Sequence, residues 1–229
     1  MNKLKICALL IISGFLFSIA GVASASGFSL PTFGNSPKVQ PPATQNQPDA
    51  TQMQTKLIQD FVVGQKSVLV AQSDIANALG NKDLAAKLTA EVSTLSAAPT
   101  QADLGRVMAS SKGADEQNEK DMASEKKLTA DAHANMGKAI PEYLLGVGEL
   151  IRLRPDFQNF LKQATQELSS SPMTALTLKS KLAEGMYIAD NAPGYTESLA
   201  QTASGFITYA KGNNISVPKN ATALLSGLQ

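Results

Sequence analysis

Few residues in this 229-residue chain could hold a metal, attack a bond or move a proton at neutral pH: it contains one His and one Cys. Structural zinc takes four ligands, mostly nitrogen or sulfur, which His133 and Cys7 cannot supply. A helical di-iron site uses Glu-x-x-His pairs, and the residue three before His133 is Ala130. On a helix the same-face neighbours of His133 are Thr129, Ala130, Met136 and Gly137, none of them a carboxylate. His133 therefore reads as a solvated or helix-packed side chain, and no metal or other cofactor is expected.

Nucleophilic and nucleotide chemistry find equally little. No Gly-x-Ser-x-Gly elbow occurs, and Ser124-Glu125-Lys126-Lys127 matches Ser-x-x-Lys inside a charged stretch without its companion motifs. There is no Gly-x-x-x-x-Gly-Lys-Ser/Thr loop, and Gly146-Val147-Gly148 falls within a helical pattern, where close helix packing accounts for it. Hydrolysis by paired carboxylates would draw by elimination on Glu142, Glu149, Asp156, Glu184 and Asp190, with Glu149 and Glu184 as the pair to test. That leaves surfaces. Tyr143, Tyr187, Tyr195 and Tyr209 all lie in the second half, in or beside apolar helices, and amphipathic rings of this kind suit interfaces and pocket mouths. Arg152 and Arg154 flank Leu153, and Arg152 lies three residues after Glu149, the spacing of a helical ion pair. Tyr143, Arg152, Arg154, Tyr187 and Tyr195 are thus the candidate ligand or partner surface.

The elements that carry these residues read as helices throughout. Aromatics are 5% of the chain and Trp is absent, so the core must be built from aliphatic side chains, Met and Ala, which suits close-packed helices. Leu57, Phe61, Val68, Ile75 and Leu79 recur at helical spacing over Asp49–Leu79, ended by Gly80-Asn81. A shorter helix spans Lys82–Ser96. The organising element is then expected to be a long arm from Thr100 to Arg154, opened by the cap signal Thr100-Gln101-Ala102-Asp103. Its middle, Lys112 to Lys127, is charged and reads as solvated, with Gly113 as the expected break. Pro141 should kink the arm or restart it, and Ile140–Leu153 should be a central buried helix. Asp156 should cap a helix running to Leu168. Helices over Met173–Ala189 and Thr196–Lys211 should be separated by a turn at Asn191-Ala192-Pro193-Gly194, and a short helix should follow over Ala221–Leu228.

The first 25 residues read differently. Lys3 and Lys5, the apolar run Ile6–Val22 and the small residues Ala23-Ser24-Ala25 have the layout of a secretory signal peptide cleaved after Ala25. Its loss removes the only Cys, so the mature chain has no disulfide, and it reduces 20 Lys and Arg to 18 against 19 Asp and Glu. A chain this close to neutral has no net pull toward nucleic acid or anionic lipid. Residues 26–48 hold Pro31, Pro37, Pro41, Pro42 and Pro48 among polar residues and read as a disordered linker.

The expected protein is all-α: an antiparallel multi-helix array or bundle with one long arm, in a single domain over 49–229, after the leader and linker. The expected function is that of an exported, non-enzymatic protein of a bacterial envelope, periplasmic or secreted, which binds a protein partner through helix faces and spans no membrane once the leader is cleaved. The alternative is a carrier of an apolar small molecule or lipid, with Ile140–Leu153 and Met173–Ile188 as the walls of its cavity.

Overall fold

Asp49 starts the ordered helices: its carboxylate accepts the Gln52 amide, and α1 (Ala50–Ala78) follows. A computed structural model describes residues 48–124, 128–170 and 173–217. They form seven helices, completed by α2 (Lys82–Thr94), α3 (Gln101–Ala123), α4 (Ala130–Arg152), α5 (Arg154–Ser170), α6 (Ala175–Lys181) and α7 (Ala183–Gly212), with no strand among them. The expected leader, the expected linker up to residue 47 and the expected helix over Ala221–Leu228 lie outside the described residues.

The organising helix is α1, not the arm. It packs against α2, α3, α4, α5 and α7, because both of its faces are apolar. Leu57, Phe61, Val68 and Ile75 join the large core shared with α3, α4, α5 and α7. Val62 and Leu69 point the other way, into a smaller core with Leu88, Leu95, Val107 and Ala114. Gly80, at φ +86°, turns the chain back, so that Ser73 bonds the Ala85 carbonyl at 2.9 Å and α2 runs antiparallel to α1. α4 is also antiparallel to α1: Gly146 faces Val68, and Gly64 faces Leu150. α3 and α7 run in the same direction as α1.

The arm is two helices. α3 ends at Ala123 and α4 begins at Ala130, where the Thr129 hydroxyl accepts the Ala132 amide. Gly113 does not break α3. A glycine inside a helix costs about 1 kcal/mol relative to Ala, and docking of the neighbouring Ala114 and Asp115 outweighs that. The charged middle is not wholly solvated either: Asp115 and Asn118 are buried. The expected capping box at Thr100 is present, with Thr100 accepting the Asp103 amide and Asp103 accepting the Thr100 amide.

Both internal prolines sit inside helices. Pro141 neither restarts nor ends α4, and Pro193 does not end α7. A mid-helix proline costs about 3 kcal/mol or more. Burial on both sides exceeds that: Ile188, Ala192, Tyr195, Leu199, Ala203, Phe206 and Ala210 carry one buried stripe straight through Pro193. The expected helix over Met173–Ala189 breaks instead at Leu182. Gln54 from α1 holds that joint, donating to the Lys181 carbonyl at 2.7 Å and accepting the Gly185 amide at 3.0 Å. These are orphan groups at a helix end and a helix start, so one side-chain amide satisfies both. Asp156 lies in the first turn of α5, which already begins at Arg154, rather than at its cap.

Candidate functional site

Polar residues meet at the centre of the bundle, where α1, α3, α4 and α7 converge. Phe61, Gln65, Val68, Gln72 and Ile75 form one buried line on α1 at spacings of four and three. Leu104, Met108, Ser111, Asp115 and Asn118 form the matching buried line on α3. Such spacing keeps residues on one face of a helix, so the polar members are forced into the interface along with the apolar ones. Gln72 Nε2 donates to Asp115 Oδ1 at 2.6 Å and to the Ser111 carbonyl at 2.9 Å. Asn118 Nδ2 donates to the Gln72 carbonyl at 3.2 Å.

Two of the candidate residues complete this junction. The Tyr143 hydroxyl, from α4, donates to Asp115 Oδ2 at 2.8 Å and lies 3.4 Å from the Leu199 carbonyl of α7. Its ring packs against Phe206 with centroids 4.8 Å apart. The Tyr195 hydroxyl, from α7, lies 2.7 Å from Gln65 Oε1 and 2.8 Å from Ser111 Oγ. Both tyrosines are buried, so they are core groups and not rings at a pocket mouth.

The electrostatics of the junction follow from its dryness. Asp115 is 3% exposed. Burial pushes its carboxyl up to about 7, against the bonds from Gln72 and Tyr143, which favour the charged form. Glu119 and Glu116, on the same helix, add to the rise. Burial also raises both tyrosines, with the neighbouring Asp115 adding to each. Gln65 Nε2, Gln72 Oε1 and Asn118 Oδ1 are buried without a hydrogen-bond partner among the described residues.

The other candidates are elsewhere. Arg152 is exposed at the end of α4, beside a shallow groove lined by Asp60, Val63, Glu149 and Leu153. It forms no ion pair with Glu149; those between described residues join Lys56 to Asp60 and Arg106 to Glu91 and Asp103. Arg154 is exposed at the start of α5. Tyr187 is half-buried, its hydroxyl over Gly105 of α3, beside an open groove of about 650 Å³ that also holds Leu176, Lys179, Met186 and Asp190. His133 Nε2 sits 2.8 Å from the Asn213 carbonyl, pinning α4 to the end of α7.

The carboxylates proposed for hydrolysis are not gathered on one wall. Glu142 and Glu149 line the outer side of the α1–α4 pair, Asp190 lines the groove by Tyr187, and Glu184 lies in the first turn of α7. Among the described residues no three of His, Cys, Asp and Glu come together as a metal site. Of the walls proposed for a carrier cavity, Leu182 and Ile188 of the second lie in the same core as the first. Ile140, Tyr143, Leu144, Val147 and Leu150 are closed into the core, whereas Met173 and Leu176 face outward, 99% and 83% exposed.

A second feature lies on the outside of α1 and α4. Val63, Val70 and Leu145 are 61%, 42% and 49% exposed on the two most closely packed helices. Lys66, Ser67, Val70, Glu142, Leu145, Gly146 and Glu149 line an open groove of about 400 Å³ between them. Gly146 allows this close approach: a Cβ there would lie 3.0 Å from the Val68 nitrogen.

No protein-family model, curated protein or solved structure matches the chain. No helix among the described residues is long and apolar enough to cross a membrane.

Proposed function

We propose that the protein is exported past the inner membrane of a bacterium and works without catalysis, by holding a partner protein against the outer face of α1 and α4. The observation that carries this reading is the exposure of Val70 and Leu145 around one groove, with exposed Val63 on the neighbouring groove that shares Glu149. Apolar side chains grouped on a surface and rimmed by polar ones mark interaction sites. The rim supports a protein partner over a polyanion. Asp60, Glu142 and Glu149 stand against Lys66 and Arg152, so a phosphate backbone or an anionic lipid surface would meet more acid than base. The leader-like first 25 residues support export.

A photo-reactive residue placed at Val70, in protein expressed in its own host, tests this. The expected result is one discrete adduct that disappears when Leu145→Glu is added, while the same probe at Lys87, exposed on α2, gives none. No adduct at Val70, or an adduct indifferent to Leu145→Glu, would remove the groove from consideration.

A further inference from the structure

We propose that the polar junction is a proton-operated latch: proton uptake at Asp115 tightens the docking of α3 onto α1, α4 and α7, and proton release loosens it. The argument begins with hydrogen-bond inventory. An ionised carboxylate only accepts, and in that form it takes the Gln72 amide on Oδ1 and the Tyr143 hydroxyl on Oδ2. When a proton from solvent binds Oδ2, that oxygen becomes a donor toward the Tyr143 oxygen, 2.8 Å away. The single Tyr143 hydroxyl hydrogen must then turn elsewhere. The Leu199 carbonyl of α7, 3.4 Å away, is its second acceptor. One proton taken up thus converts a chain ending on α3 into a relay from α3 through α4 to α7, with no heavy atom displaced far.

The surroundings set the direction. From α1 the junction meets only the neutral Gln65 and Gln72. From α4 it meets Tyr143, and from α7 Tyr195, both held neutral by burial. On α3 itself the charged groups acting on Asp115 are Glu116 and Glu119, which repel its negative form. No cation is among the largest influences on it. A buried carboxylate with donors but no counter-charge is destabilising when ionised and satisfied when protonated. The raised carboxyl, at about 7, places the changeover near neutrality.

Urea unfolding of the full chain between pH 4.5 and 9 tests the latch, read by circular dichroism on wild type and Asp115→Asn. The unfolding constant of wild type should grow by up to about tenfold per pH unit over part of the range between the ordinary carboxyl value and 7. Asp115→Asn should lose that component, since every other titrating group is common to both chains and cancels in the difference. Tyr143→Phe keeps the ring but removes a donor that favours the carboxylate, so its changeover should move to higher pH. Equal pH slopes in wild type and Asp115→Asn, or a wild type that gains stability relative to it with rising pH, would overturn the proposal. Should Asp115→Asn fail to fold, a carbon-13 carboxyl titration of the wild type decides. A signal from Asp115 moving near neutral pH supports the latch, and one moving near pH 4 refutes it.

Discussion

Two glycines on the α1–α4 interface offer the same chemical change in two mechanical settings. At Gly146 an added Cβ would lie 3.0 Å from the Val68 nitrogen, 3.1 Å from Ser67 Cβ and 3.1 Å from Val68 Cγ2. The nitrogen belongs to the backbone of α1, so the helices themselves must part. Non-bonded contacts of this kind settle near 3.5–4.0 Å, and parting a packed interface by about half an ångström forfeits attraction along its length. Overpacking of this sort costs roughly 1–3 kcal/mol. Alanine returns about 1 kcal/mol of helix propensity, so Gly146→Ala should be destabilised by roughly 1–2 kcal/mol net. At Gly64 the Cβ would meet Leu150 Cδ2 at 2.8 Å and Cγ at 3.0 Å, the movable end of a side chain. Displacing Leu150 from its preferred rotamer costs roughly 0.5–1.5 kcal/mol, which the same propensity gain nearly cancels. Urea titrations with equal m-values should therefore rank Gly64→Ala close to wild type and Gly146→Ala clearly below it. A Gly146→Ala protein as stable as Gly64→Ala would mean that α1 and α4 are not in backbone contact there, and would refute the close approach at Gly146.

The remaining predictions concern the junction and one helix start. For Asp115 the sign is that of an acid whose folded value, about 7, lies above its unfolded value of 3.8. Its stabilising protonated form is fully available below 3.8, its contribution falls as pH rises toward 7, and the loss is complete above that, roughly 4 kcal/mol at most. Asp115→Asn should accordingly be the more stable chain at pH 8, by thermal or urea unfolding. Tyr195→Phe leaves Gln65 Oε1 without its hydroxyl donor beside an amide nitrogen already unpartnered, and should cost about 1–3 kcal/mol in the same measurement. Thr100→Ala removes half of the capping box that starts α3 and should cost about 1 kcal/mol, with faster amide exchange confined to the first turn of α3.

Much of the fold was legible because apolar periodicity and caps agreed. The boundaries of α1 and α2, the box at Thr100 and the buried Ile140–Leu153 stretch all follow from side-chain spacing. What misled were punctuation signals read without their surroundings. Asn191-Ala192-Pro193-Gly194 has turn composition, yet Ala192 and Tyr195 continue the stripe of Ile188 and Leu199, and buried area decides over local preference. The break at Leu182 could not be read locally, because it is held by Gln54, more than a hundred residues earlier. The site was less legible than the fold. Tyr143 and Tyr195 were singled out, but as surface groups, and the residue they surround was missed. Asp115 sits in a run of charges, and polarity alone marks such a run as solvated. Position says otherwise: Leu104, Met108, Ser111, Asp115, Asn118 and Met122 keep the four-three spacing of a packed face without interruption.

That spacing also explains why a polar seam persists where an apolar one would pack. Buried polar groups are weak contributors to stability, and their best-attested use is to fix register. α3 runs alongside α1 in the same direction, and an all-apolar seam between two such helices offers little to distinguish one alignment from the next. A slip of one turn would carry Asp115 about 6 Å away from Gln72 and Tyr143. It would leave the carboxylate without either of its donors in the core, at a cost of about 1–3 kcal/mol or more. The same groups that make the interface sensitive to protonation therefore penalise every alignment but one. Selection for register alone would be met by a neutral pair such as Asn with Gln. The presence of an acid, faced by two neutral donors and bonded to no cation among the described residues, is what register does not require and a proton-operated latch does.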